Sequence, residues 1–454
     1  MNIQQSVINK EINAILSSGT KPVFYDWEVH IHANNKTIKP MIVLAIDMDR
    51  DYIKQLSDVL SVEVSLPQGD VDIDIIPYKS KLEVTLIRKP LKETTTAQTN
   101  DYLPPVSFRY KAVLYDGSSN EVKGNLPNVK DKETANRTSL VDIRLQLLNP
   151  VLEVLRTMTF GGSLRNVSPA IAIRSIFSTR KHLTAGLDNN QNSIKGVNIA
   201  YGANDKVRKH IIIPHLTPLL KIPDLIHREA GGVFASGLGF YLQGNYWYMF
   251  APYDLKAYSR SNKTLTIITV PANRVVKPER SYRETPNQVL LLATGESKHI
   301  ELSESQQLNK GNGIIFMDAT KAFEEWGVVE NNKFIVDKSK NVTQATIAKR
   351  EDGIDFLRQT DTKFTSNPLF EYSKLASRFG DVIQHTWENA NPDLLYPGMP
   401  VRNMYISNNQ AKELYGVLIG VKVLNTSDTK GMVNRIFTNK CVLTVFVEKD
   451  LQTE

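Results

Sequence analysis

The sequence predicts an α+β protein that is mainly β. Two β-rich blocks at opposite ends of the chain, Trp27 to Leu86 and Leu394 to Val447, flank a helix-bearing middle. Three observations carry this prediction. Apolar and polar residues alternate with period two through the N-terminal block, as in strands with one buried and one wet face. Helix-start pairs, Asn149-Pro150, Ser168-Pro169 and Thr217-Pro218, recur through the middle. Turn residues and runs of branched apolar residues return after Pro397.

In Asp26 to His32 the side chains of Trp27, Val29 and Ile31 fall on one face and those of Asp26, Glu28, His30 and His32 on the other. The same alternation marks Val62 to Leu66, Asp70 to Ile75 and Leu82 to Leu86, with turns at Pro67 to Gly69 and Pro77 to Ser80. These segments are expected as consecutive antiparallel hairpins. Lys89 to Asn100 reads as an exposed polar loop, Phe108 to Tyr115 as a strand, Asp116 to Arg137 as a second loop, and Leu140 to Leu147 as the strand closing the domain. Helices are expected after each of the three proline starts. The last, Leu219 to Glu229, should break or kink at Pro223 and end at Gly231-Gly232.

An aromatic hairpin, Phe240 to Gln243 and Tyr246 to Phe250, should turn at Gly244-Asn245. Strands follow at Leu265 to Val270, Val289 to Leu292, Ile314 to Met317 and Phe334 to Val336. Ala345 to Arg358 and Pro368 to Trp387 have helical spacing, the latter with Leu375, Phe379, Val382 and Ile383 on one stripe. A turn at Pro397 to Pro400 launches strands at Val401 to Ile406, Leu414 to Leu424 and Lys440 to Val447.

At 454 residues the chain exceeds one compact core, so two to four domains are expected. Its 41% hydrophobic and 23% charged residues are those of a soluble globular protein. Met1 to Leu16 has no apolar signal-peptide core and no run is long enough to span a bilayer, which points to a cytoplasmic start and no membrane insertion. The single cysteine, Cys441, excludes internal disulfides and multi-cysteine metal sites and reads as a small buried hydrophobe. The net charge of +7 is spread among 48 acids, and the densest basic cluster, Lys206 to His210, lacks interleaved aromatics. It reads as a solvated face or a contact with an acidic partner rather than nucleic-acid recognition.

No chemistry-bearing motif survives inspection. Asp70, Asp72 and Asp74 suggest a hard-cation loop, but the sixth and twelfth positions, Ile75 and Lys81, are not the glycine and glutamate such a loop needs. They read as a solvated strand face. His30 and His32 share a face with Asp26 and Glu28 but have no third histidine nearby in sequence. Gly237 to Gly239 and Gly311 to Gly313 lack the strand-before, helix-after setting of a phosphate loop and read as turns. No catalytic residue, cofactor or metal is assigned. A carboxylate pair, as in a glycan hydrolase or lyase, is the rival enzyme reading, and a carbohydrate-binding module a weaker one.

The segment Ile213 to Phe234 followed by Phe240 to Tyr253 resembles a bacteriophage baseplate (tail) hub protein: a helix, a glycine-containing break and an aromatic hairpin in that order. Val62 to Gly69, Ile76 to Tyr78 and Leu82 to Leu86 resemble the first tube-like barrel of that family, and Leu394 to Val401 with Tyr415 to Ile419 the second. The resemblance implies two tube-like antiparallel β-barrels per subunit and a homotrimer whose six barrels form a pseudo-sixfold ring. Its partners would be the tail tube protein, the central spike protein and other baseplate proteins. Its place would be the tail baseplate of the virion, after assembly in the bacterial host cytoplasm. Lytic or piercing activity would belong to a partner, and the interaction surfaces are left unassigned. The expected division is residues 1–148 as the first barrel with long loops, 149–260 as a helical and hairpin connector, 261–387 as a mixed region partly belonging to the second barrel, and 388–454 as the C-terminal block completing that barrel. Another virion or secretion-machine structural protein is the alternative from the same class.

Overall fold

The computed structural model describes residues 3–17, 25–90, 105–115, 140–179, 194–270, 281–294, 298–300, 327–330, 333–336, 347–350, 353–356, 376, 380–407, 410–427 and 437–449. The first block supplies β1 (Tyr25–Ala33), β2 (Lys36–Ile38), β3 (Ile42–Asp51), β4 (Val59–Pro67), β5 (Leu82–Pro90), β6 (Val106–Leu114) and β7 (Leu140–Leu148), preceded by helix α1 (Ile3–Leu16). The middle holds helices α2 (Pro150–Arg156), α3 (Pro169–Thr179) and α4 (Ile222–Glu229) with strands β8 (Thr159–Val167), β9 (Gly196–Ile199), β10 (Arg208–Pro218), β11 (Gly239–Gln243) and β12 (Tyr246–Phe250). Then come β13 (Thr264–Val270), β14 (Tyr282–Thr285), β15 (Gln288–Thr294), β16 (Lys298–Ile300), the short hairpins β17 (Gly327–Glu330) with β18 (Lys333–Val336) and β19 (Ile347–Arg350) with β20 (Gly353–Phe356), β21 (Gly380–Glu388), β22 (Pro400–Ser407), β23 (Gln410–Ser427) and β24 (Phe437–Glu448).

Fifteen strands form one sheet, in the order β14-β15-β13-β22-β23-β3-β4-β7-β6-β5-β1-β24-β21-β16 with β2 beside β1. It is a mixed sheet: β13 runs parallel to β15 and β22, and the other pairs are antiparallel. The long strand β23 joins the two ends of the chain. Its first half pairs with β22, its second half with β3, and β24 runs along the second half and the end of the first, from Gly416 to Ser427. A register shift between Leu418 and Gly420 marks the passage from one half to the other. On the far side, among the described residues, β24 meets β1 at the pair Tyr25 and Phe437.

Each region has its own apolar core. The predicted inward residues of β1, Trp27, Val29 and Ile31, are buried with Val62, Val64, Leu86, Leu145 and, from the far end of the sequence, Phe437. A second core gathers Ile267, Leu291, Trp387, Val401, Val421 and Phe446, and takes in Tyr52 and Tyr241. A third packs the middle helices on the aromatic hairpin, where Trp247 stacks on Phe240 at 4.3 Å between ring centres. A fourth, small one places Ile8 and Ile15 of α1 against Ile268, Leu292 and Met404.

Most predicted strands and the first two helices stand where the sequence placed them. Asn149 caps α2, its side chain accepting from the Val151 amide at 2.9 Å. The Gly244-Asn245 turn has both residues at positive φ, 57° and 72°, the geometry a two-residue hairpin requires.

Several expectations need correction. Asp70 to Ile75 is not a strand but part of a helical run over residues 68–78, in which Val71, Asp74 and Ile75 are buried. Over six residues both periods fit, and the buried positions follow the helical i, i+3, i+4 rule. The neighbouring strands are therefore not consecutive hairpins: β4 pairs with β3 and β7, and β5 with β1 and β6. The helical segment from Leu219 does break near Pro223, but as a change from a 3-10 turn at Leu219–Lys221 to α4, in whose first turn the missing N–H of Pro223 costs nothing, and Gly231-Gly232 follow its end at positive φ. Thr217-Pro218 ends β10, and the antiparallel pair of β10 with β8 was not foreseen.

Both later segments predicted as helices contain strands, though Ala376, between the stripe residues Leu375 and Phe379, is helical. Ala345 to Arg358 contains the antiparallel pair β19 and β20, whose four-residue arms flank a two-residue link and Gly353. Within Pro368 to Trp387, residues 380–388 form β21, paired with β24, and Val382 and Ile383 are both buried. A strand covered on both faces buries adjacent residues and so imitates a stripe. Helix α1 and strand β3 carried no prediction. Lys89 and Pro90 of the first predicted loop belong to β5; the rest of it to Asn100, the predicted loop Asp116 to Arg137, the predicted strand Ile314 to Met317, and most of 368–379 lie outside the described residues.

Candidate functional site

The chain's distant parts meet at a polar seam. Strand β3 ends at Asp51, and the short link to β4 runs beside β11, where the Leu242 amide donates to Leu56 O at 2.8 Å and Ser57 bridges Leu242 in parallel. Arg50, at the end of β3 and 6% exposed, donates from Nη2 to Asp58 Oδ2 at 3.2 Å. The other oxygen of Asp58 accepts from the Tyr241 hydroxyl at 3.0 Å. The Tyr52 hydroxyl donates to Gln243 Oε1 at 3.2 Å, and Gln243 Nε2 donates to Leu395 O at 2.7 Å. The rings of Tyr52 and Tyr241 meet edge to face at 4.8 Å. The first block and the connector are thus tied by two hydrogen-bonded chains, Arg50–Asp58–Tyr241 and Tyr52–Gln243–Leu395, the second of which reaches the C-terminal block.

Its electrostatics keep the phenols neutral. Burial raises the pKa of both Tyr52 and Tyr241; the Asp58 carboxylate reinforces the rise in both, and nearby Arg50 opposes it. The two tyrosines therefore serve as hydrogen-bond donors, and Arg50 stays charged against the Asp58 carboxylate.

Beside the seam lies a cavity of about 750 Å³ between the first block and the hairpin turn, lined among others by Trp27, Arg50, Arg88, Tyr110 and Tyr248. Arg88 reaches Asp393 at 2.7 Å and lies over the rings of Tyr25 and Trp27 at 4.6 and 5.9 Å. Lys195 and Lys263 also line it.

The residues singled out by sequence are dispersed. His32 is held between threonine hydroxyls, Nδ1 at 3.1 Å from Thr37 and Nε2 at 2.9 Å from Thr85. His30 Nε2 stands 3.8 Å from Glu28, which also takes the Lys89 ammonium. Asp74 pairs with Lys36 at 2.9 Å, while Asp72 and Ile73 face outward. Among the described residues, no three or more His, Cys, Asp or Glu side chains are grouped to hold a metal ion. Cys441 is fully buried, and burial pushes its thiol up to about 12. In the cluster Lys206 to His210, both Lys209 and His210 are exposed on β10. Gly237 has φ +89° and precedes β11, as a turn glycine does.

The seam residues went unpredicted. One signal existed for Arg50: it falls in period two with Ile46 and Met48, an arginine on an otherwise apolar strand face. Nothing local connects Asp58 with Tyr241, which is 183 residues away.

No protein-family model matches the chain, and no curated protein matches it. Among solved structures it is similar to the 43 kDa tail protein of prophage MuSo2 from Shewanella oneidensis, with 10% identity, a TM-score of 0.44, and 92% of this chain and 96% of that one covered. It is similar to the tail protein from Neisseria meningitidis, at 11% identity, TM-score 0.41 and the same coverages of 92% and 96%. A third is an E. coli component of the type VI secretion system described as structurally similar to T4 bacteriophage tail proteins, at 8% identity, TM-score 0.38, 92% of this chain and 77% of that one.

Proposed function

We propose that this chain is a structural baseplate hub subunit of a phage tail or a related contractile injection machine, joining the tail tube above to the central spike below. The observation that supports this most directly is that one hydrogen-bonded sheet carries two apolar cores: β24 supplies Phe437 to one and Cys441 to Val447 to the other, while β23, in the second core, also pairs with β3 of the first block. We read the cores as two tube-like barrels. The first is built on β1 and β3–β7 with the ends of β23 and β24 that lie beside β3 and β1, the second on β13–β15, β21 and β22 with their other ends. A subunit of this kind has no hinge between its barrels, because β23 runs through both, and it suits a part that carries load from tube to spike.

Three such subunits present six barrels, which matches a sixfold tube to a threefold spike. We keep the division at residues 148 and 260, and set the third boundary before β21, with the C-terminal block shared between barrels. The strands at the two ends of the sheet order, β14 and β16, are where a neighbouring subunit would cover an open edge. Function then resides in extended surfaces toward tube, spike and other baseplate proteins, and any lytic activity in a partner. The subunit assembles in the host cytoplasm and ends in the virion's tail baseplate.

Native mass measurement with negative-stain imaging tests this, on the chain alone and co-expressed with its tube and spike proteins. A threefold ring with a central channel is expected in at least one of the two conditions. A compact monomer in both overturns the proposal.

A further inference from the structure

We propose that the cavity beside the Arg50–Asp58 pair is a binding site for an oxyanion, a carboxylate or phosphate carried on an apolar body. This inference is independent of the hub reading. Three buried N–H groups on two residues lining the cavity, Arg50 Nε and Nη1 and Trp27 Nε1, have no hydrogen-bond partner. Both residues are 6% exposed. Buried donors are almost always paired, and an arginine cannot relieve its position by losing its proton. All three orphaned groups are donors, so what completes them is an acceptor and not a cation.

The charges agree. Arg50, Arg88, Lys195 and Lys263 line the cavity against Asp58 and Asp393, four cations to two anions. Both carboxylates already receive partners, Asp58 from Arg50 and Tyr241 and Asp393 from Arg88. The Lys263 ammonium is also 3.6 Å from Glu284, which does not line the cavity. Aromatic rings of Trp27, Phe108 and Tyr248 supply apolar wall, and a volume of about 750 Å³ falls in the range of small-ligand sites. Nε and Nη1 lie on different edges of the planar guanidinium, each beside the Nη2 that holds Asp58, so an oxyanion would take one of these two donors at a time.

The test titrates the full chain with inorganic phosphate, acetate and benzoate at constant ionic strength set with chloride, reading tryptophan emission and the thermal midpoint. Saturable binding is expected, with phosphate strongest if the natural group is a phosphate and benzoate at least about tenfold tighter than acetate if it is an aromatic carboxylate. Trp27→Phe keeps a ring and removes one donor; Arg50→Lys keeps the charge and removes the guanidinium's Nε and Nη1 donors. Each should weaken binding by about 10- to 100-fold. Lys195→Gln, at an exposed position, should leave the unliganded midpoint unchanged and weaken binding severalfold, so the site remains testable if a buried variant fails to fold. The absence of saturable binding by all three anions overturns the proposal, as does binding that is unchanged in the variants.

Discussion

Replacing Asp58 by leucine leaves the guanidinium of Arg50 buried at 6% exposure without its carboxylate. Removing one partner of a buried ion pair costs about 3–5 kcal/mol. The Tyr241 hydroxyl also loses its acceptor, adding about 1 kcal/mol or more. Asp58→Leu should therefore destabilise by about 4–6 kcal/mol. Arg50→Met should cost less, about 2–3 kcal/mol, because Asp58 keeps Tyr241 and its side chain is 19% exposed. The double variant replaces the pair by apolar volume and leaves chiefly the tyrosine unsatisfied, so it should cost only about 1–3 kcal/mol, well below the sum of the single changes. Urea unfolding at pH 7 gives the double-mutant cycle. Hydrogen exchange of the Leu242 amide, which donates across the seam to Leu56, reports the local opening. Single and double effects that add to within about 0.5 kcal/mol would show that the pair is not coupled and refute this account of the seam.

Trp27→Ala should cost about 3–5 kcal/mol because the ring is buried in the first core, while Glu28→Ala, whose Lys89 pair is about a third exposed on both sides, should cost less than about 1 kcal/mol; similar values in denaturant unfolding would contradict the strand faces. His227 is buried, accepts from the Val233 amide at 2.9 Å through Nδ1, and is held down to about 4 by burial against a small opposing effect of Asp224. Its folded value lies below the unfolded 6.5, so stability present above pH 6.5 is lost as pH falls toward 4, by about 3 kcal/mol; His227→Asn should flatten that dependence, and an unchanged slope speaks against it. Gly416→Ala would put a Cβ 1.8 Å from the Phe446 carbonyl oxygen, so β23 and β24 must part; the expected result is loss of soluble protein or a fall of several kcal/mol, and near-native unfolding would show the two strands are less tightly joined.

Local pattern made most of the strands legible. Period two located β1, β4 and β5 and named the face that buries Trp27, Val29 and Ile31, since side-chain direction in a strand depends only on position in the chain. The first two proline starts and the Gly244-Asn245 turn were legible for the same reason: each is a backbone requirement met within a few residues. Where two periods fit one short segment, as at Asp70 to Ile75, or where both faces of a strand are buried, as at Val382 and Ile383, local pattern misled.

Strand pairing and the seam belong to the tertiary structure. Asn425 donates to the Ile46 carbonyl at 3.1 Å across 379 residues of sequence, and Phe437 completes the core around Trp27. Backbone hydrogen bonds between strands are nearly independent of side-chain identity, so a strand's sequence states which face it buries but not which neighbour it finds. Arg50, Asp58 and Tyr241 could each be read alone as a surface charge or a core phenol. Only the approach of β3, the link to β4, and β11 removes them from water and makes each the partner the others need.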